Sequence, residues 1–166
     1  MNSYEYTPPK DRLITAAVFA ILLLSIVVFA AGSALREYAG LMELSGVVLA
    51  AGGLLIGTRY LMTEYVYAVE RTDSEADGYD LVITECRGKV RRVVCRVSVS
   101  GGKLQKITPD TPKPKCAIFN YCQSPRPGDA CYFFPDEKEG GGAVKFSPDA
   151  TLIRLLGGEN NTDNNR

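Results

Sequence analysis

The stretch LITAAVFAILLLSIVVFAAGSAL, Leu13–Leu35, holds 23 residues without a charge, and LSGVVLAAGGLLIG, Leu44–Gly57, follows it after a short polar break. At about 1.5 Å per helical residue the first spans roughly 35 Å, enough to cross a hydrocarbon core of about 30 Å. The second has only 14 strictly apolar or small residues, but Tyr38–Met62 makes 25 if Glu43 and Arg59 sit at the two headgroup levels. A carboxylate is costly at the bilayer centre and cheap near its edge. Tyr38 and Tyr60 fall where interfacial aromatic residues collect. The pattern predicts an N-terminal segment over 1–12 and transmembrane helices over 13–35 and 38–62.

Two features leave alternatives open. Lys10 and Arg12 before the first stretch, with Ala30-Ala31-Gly32-Ser33-Ala34 inside it, suit a cleaved signal peptide. The apolar part of such a signal is usually about 7–15 residues, shorter than this one. Gly46, Ala50, Gly53 and Gly57 share one helical face, where small side chains let another backbone approach closely. The simplest partner is the first helix, where Ala16 and Ala20 offer a matching small face. A homodimer seam is the alternative.

Charge sets the direction. The turn near Arg36–Gly40 carries one basic residue, whereas Lys10 and Arg12 flank one end of the pair, and Arg59, Arg71 and a basic block flank the other. The positive-inside bias places both termini in the cytoplasm of a multi-pass inner-membrane protein.

Beyond Met62 the periodicity changes from helical to alternating. Glu64–Val69, Tyr79–Cys86, Val90–Val99, Lys103–Ile107, Lys115–Cys122, Ala130–Phe134 and Ala143–Phe146 read as seven strands. In the third, Val93, Cys95, Val97 and Val99 alternate with Arg92, Val94, Arg96 and Ser98, which puts Arg92 and Arg96 in one outward row. Lys138–Gly142 reads as a glycine-rich turn. Ser147-Pro148-Asp149 reads as an N-cap, a proline at the first helical position and an early acid. Leu152, Ile153, Leu155 and Leu156 then supply the buried face of a short helix. The expected fold is a membrane helical hairpin plus a β-rich half-open barrel or orthogonal sandwich over 63–158, capped by that C-terminal helix. The tail 159–166, rich in asparagine, has nothing to bury and reads as disordered.

Net charge is zero, but its distribution is uneven. Arg87, Lys89, Arg91, Arg92, Arg96, Lys103, Lys106, Lys113 and Lys115 face only Asp110 between Cys86 and Lys115, while Thr63–Glu85 carries acids against Arg71 alone. The candidate interaction surface is Arg87, Lys89, Arg91, Arg92 and Arg96 on the second and third strands, against the plainer reading of a solvated strand face. Its partners would be a second copy, another membrane protein, or anionic lipid headgroups. Each cation near an anionic surface contributes about 1 kcal/mol, which orients a domain that helices already anchor. No aromatic residues interleave these cations as a nucleic-acid stacking platform requires.

Enzyme signatures are lacking. The chain has no histidine, so neither a Cys–His pair nor a zinc knuckle can be written, and Cys86, Cys95, Cys116, Cys122 and Cys131 have no two-residue spacing. They read as reduced core thiols. Gly140-Gly141-Gly142 lacks the Lys-Ser/Thr of a phosphate loop. Asp73, Glu75, Asp77 and Asp80 have alternating spacing, but glycine and glutamate fall in the wrong places for an EF-hand. No catalytic residue, cofactor or metal is assigned.

Thr58-Arg59-Tyr60-Leu61-Met62-Thr63-Glu64-Tyr65, leaving a helix and entering a strand, resembles the junction in bacterial two-helix membrane proteins that carry a cytosolic pleckstrin-homology-like domain. Arg96-Val97-Ser98-Val99 followed by Leu104-Gln105-Lys106-Ile107 is similar to a later strand of theirs, and the resemblance spans roughly residues 13–156. It implies seven strands and a C-terminal helix. It does not carry over a phosphoinositide site, because Glu70–Asp80 holds five acids (Glu70, Asp73, Glu75, Asp77, Asp80) against Arg71 where that site needs bases. Three functions follow in order: a non-enzymatic interaction or assembly module, an anionic-lipid or membrane-surface sensor, and a thiol-based redox sensor or enzyme.

Overall fold

The computed structural model describes residues 4–34, 38–72, 78–125, 128–136 and 142–157. Two compact units result, a helical one over Lys10–Thr63 and a β-rich one built from the chain on both sides of it.

The helical unit is a pair, α1 (Arg12–Ala34) and α2 (Ala39–Tyr60). Asp11 starts α1: its side chain accepts from the Leu13 amide at 2.9 Å and its carbonyl from the Thr15 amide at 3.1 Å. Both helices are long and apolar enough to cross a membrane. Gly46, Gly53 and Gly57 are buried on α2, with Ala50 half-buried between them. A Cβ on Gly46 would stand 3.0 Å from Phe29 Cβ and 3.1 Å from the Ser25 carbonyl, and one on Gly53 would stand 3.0 Å from Leu22. Gly57 faces Val18. The seam therefore uses 18, 22, 25 and 29 on α1 against 46, 50, 53 and 57 on α2, both stepping by four and three residues, the spacing of a knobs-into-holes contact. Ala16 and Ala20, expected to supply the matching face, are exposed. The glycines open holes, and holes take large side chains better than a second small face. Ser25, Ser45 and Thr58 direct their hydroxyls to the Leu22, Leu41 and Leu55 carbonyls of their own helices, so these donors are satisfied without water.

Among its described residues the β unit has eight strands and one helix. The strands are β1 (Tyr4–Tyr6), β2 (Thr63–Arg71), β3 (Tyr79–Arg87), β4 (Val90–Ser98), β5 (Lys103–Lys106), β6 (Ala117–Asn120), β7 (Cys131–Phe134) and β8 (Gly142–Phe146), and the helix is α3 (Ala150–Leu155). One sheet has the order β1-β2-β3-β4, the other β5-β7-β8-β6. In the second, β5/β7 and β7/β8 are antiparallel and β6/β8 is parallel. Tyr65, Tyr67, Val69, Leu81 and Ile83 from the first sheet meet Phe133, Val144 and Phe146 from the second, with Leu152 and Leu156 of α3. Tyr67 packs edge-on to Phe146 at 5.3 Å between ring centres and donates to the Tyr121 carbonyl at 2.8 Å. Its buried body thus keeps a partner for its hydroxyl.

Four expectations change. The seven strands are present, but Tyr4–Tyr6 adds an eighth, paired antiparallel to β2 with Tyr6 opposite Tyr67, so the N-terminal segment belongs partly to the β unit. Tyr4 Oη also donates to Asp149 at 2.6 Å. Second, no strand pairing joins the two sheets among the described residues, so the expected half-open barrel or sandwich takes the form of two sheets with no closed barrel. Third, the N-cap of α3 is Asp149, whose side chain accepts from the Leu152 amide at 3.0 Å, and Ser147 lies outside the helix with its hydroxyl buried. An aspartate in extended conformation immediately before Ala150 captures the cap position from the serine two residues earlier. Fourth, Gly142 begins β8; the rest of the expected turn, 73–77 of the acidic loop, and the tail 159–166 lie outside the described residues.

Candidate interaction site

The basic hairpin begins with its turn. β3 ends at Arg87 and β4 starts at Val90, leaving Gly88-Lys89 as a two-residue loop. Gly88 has φ +58° and no described non-glycine residue, Lys89 included, has positive φ, which matches the primed turn with glycine first. Along the pair, Ile83 lies opposite Cys95 but Thr84 opposite Val93, so Val94 is an extra, bulged residue.

That bulge divides the arginines. Residues opposite one another share a face, and faces alternate along β3. Arg92 lies opposite Glu85 and Arg96 opposite Val82, an odd separation, so the two point to opposite faces. The expected common row of Arg92 and Arg96 is therefore split, and Arg91, opposite Cys86, shares the Arg96 face instead.

Pairing sorts the same residues further. Arg96 reaches Glu70 at 2.9 Å and Asp80 at 3.3 Å, and Asp80 also accepts from the Thr72 hydroxyl at 2.7 Å. Arg87 reaches Glu85 at 2.7 Å. Arg96 and Arg87 of the basic stretch thus pair with Glu70, Asp80 and Glu85 of the acidic one. Among the described residues, Lys89, Arg91 and Arg92 form no ion pair and are exposed.

Beside β4 lies an open, largely apolar groove of about 650 Å³. One wall is Val94–Val97 of β4, the other Ala117 and Phe119 of β6, with Val144 of β8 and Tyr121 between them. β4 and β6 are each the last strand of their sheet. Every residue of β6 is exposed, Phe119 by 52%. The Phe119 ring lies over Gly142, where a Cβ would come within 2.6 Å of it, so glycine is what admits the ring. Tyr121 donates to the Val94 carbonyl at 3.3 Å and closes the groove beside the bulge.

The thiols are mostly buried. None of the five is in a disulfide, and Cys86, Cys122 and Cys131 are buried. Burial pushes Cys131 up to about 11 against the pull of the Lys106 ammonium, and burial also raises Cys95, the thiol that lines the groove. A nucleophile needs the opposite shift. No cluster of three metal-ligating side chains occurs among the described residues, and Glu70 and Asp80 of the acidic loop serve Arg96.

The groove and the bulge were not legible in the linear pattern. Val93-Val94 continues an ordinary strand in sequence, and only the β6 apolar pair Ile118-Phe119, exposed on an edge, signals a surface beyond the core.

The chain matches no family model, no curated protein and no solved structure.

Proposed function

We propose that this protein is a non-enzymatic, membrane-anchored interaction module whose β unit captures a protein partner at the groove between β4 and β6. The observation that carries the reading is that β4 and β6, each the last strand of its sheet among the described residues, line one apolar opening. Open edges are pairing sites that proteins ordinarily cover or blunt. The raised thiols support a non-enzymatic role over a redox one.

Membrane anchoring rests on the helices' outward faces. Leu23, Ile26, Val27, Val47, Val48, Leu54 and Leu55 are each more than half exposed, and hydrocarbon is the solvent that suits them. The inner membrane with both termini cytoplasmic is the placement the flanking cations favour. The chain order of strands followed by a C-terminal helix supports the pleckstrin-homology-like reading, with β1 as an addition and the parallel β6/β8 pair as a departure from it.

A photocrosslinking residue at Phe119, compared with one at the exposed Thr151 of α3, tests the module in native membranes. The reading predicts discrete protein adducts from position 119 only, lost when Arg91 and Arg92 are replaced by glutamate. Indistinguishable labelling from both positions would reject it. A second reading, headgroup contact, is favoured by the unpaired Lys89, Arg91 and Arg92, and predicts salt-sensitive lipid adducts instead.

A further inference from the structure

The groove walls carry more than apolar side chains. The Val99 amide donates to the Tyr79 carbonyl at 2.8 Å, so by antiparallel alternation the amide and carbonyl of Arg96 turn away from β3. Among the described residues no strand lies beyond them. An acyl chain laid in the groove would bury such groups without partners, whereas an extended peptide would pair with them. The bulge and the Tyr121–Val94 contact confine that pairing to the stretch after Val94, so the ladder is short and other contacts must add to it. Those contacts are at hand. Toward its start the same strand carries Arg92 and Arg91, and Lys89 precedes it, all three without an acidic partner among the described residues.

We propose that the groove accepts an extended segment of another protein that adds as a strand to the free edge of β4, apolar where it passes Val97 and Phe119 and acidic where it reaches Arg91 and Arg92. This inference rests on the interaction-module reading and specifies its partner.

The sequence contains no tryptophan, so Phe119→Trp places a single reporter at the groove of the full chain. The chain is held in nanodiscs of zwitterionic lipid and titrated with the capped peptide Asp-Glu-Val-Thr-Val-Thr-Val-Asp-Glu. The expected result is a saturable fluorescence change, weakened about five- to tenfold when the four acids become lysines. In Arg91→Glu/Arg92→Glu that ranking should invert. Proline at the central valine and the two threonines beside it, which removes amide donors, should weaken binding to the unaltered hairpin. Protection of Cys95 from maleimide in the chain retaining Phe119 repeats the measurement without the reporter. Equal affinity for acidic and lysine peptides, or no saturable change in either readout, overturns the proposal, as does saturation by palmitate or phosphatidylglycerol with none by peptide. Protein crosslinks from position 119 alongside a silent peptide would reject strand addition alone, whereas absence of any such crosslink would reject the module itself.

Discussion

Arg96 bridges Glu70 on β2 and Asp80 on β3, and Asp80 is only 8% exposed. Removing the guanidinium leaves a nearly buried carboxylate with the Thr72 hydroxyl alone. Because Arg96 is itself half exposed, solvent screening reduces the loss, and Arg96→Ala should lower unfolding free energy by about 1–2 kcal/mol. Arg92→Ala should stay within about 0.5 kcal/mol. Urea titration of both variants checks the contrast, and equal losses would mean that the ion pairs are incidental. A triple glutamate variant at 91, 92 and 96 would therefore confuse folding with binding. Asp149 makes a second residue-level test. Burial works against its ionisation, but hydrogen bonds from Tyr4 and from the Leu152 and Thr151 amides outweigh burial and hold the carboxyl below its usual range. A depressed native pKa gives stability that is complete above the unfolded value and is lost as pH falls through the native one. The native chain should exceed Asp149→Asn in stability above about pH 5, by up to about 1 kcal/mol, and the two should converge as pH falls below about 4. A gap that persists unchanged into acid would contradict this.

Among the elements, the α1–α2 seam separates glycines of the same helix by what surrounds them. A Cβ on Gly46 meets the Phe29 and Ser25 backbones near 3.1 Å, whereas one on Gly52 meets nothing within 4 Å. Gly46→Ala should destabilise the hairpin by about 1–3 kcal/mol through overpacking. Gly52→Ala should be neutral or stabilising, since alanine favours a helix over glycine. Thermal unfolding in detergent micelles distinguishes them, and similar behaviour of the two would place the seam elsewhere. The small-residue face on α2 was readable because its spacing alone defines it. Its counterpart on α1 was not, since nearly every α1 residue is apolar and only packing selects Val18, Leu22, Ser25 and Phe29. β2 and β4 showed an alternating pattern, whereas β7, Cys131–Phe134, is an unbroken apolar run that reads as a buried strand. Tyr4–Tyr6 is too short to show a period, and its pairing with β2 spans the whole helical hairpin in sequence. The bulge at Val94 replaces one valine by another in the pattern, so it changes the arginine faces while leaving no mark on the sequence. The groove depends on both sheets' edges, and edges exist only once strand order does.

At the scale of the whole molecule, the connectivity makes one demand. β1 precedes α1, β2 follows α2, and the two pair with Tyr4 opposite Val69. Both ends of the helical hairpin thus feed one sheet, and any membrane it enters must be crossed an even number of times. A cleaved first segment would strip β1 from that sheet and remove Tyr4 from Asp149. The groove, the unpaired hairpin cations and the proposed partner all depend on this β unit being assembled from both ends on a single side. In a chain whose five native cysteines are replaced by alanine or serine, single cysteines introduced at Glu5, Tyr38 and Ser100, each exposed, report that side directly when treated with a membrane-impermeant maleimide before and after permeabilisation of cells. The account predicts labelling of Tyr38→Cys in intact cells, and of Glu5→Cys and Ser100→Cys only after permeabilisation. Labelling that places Glu5 and Ser100 on opposite sides would contradict it.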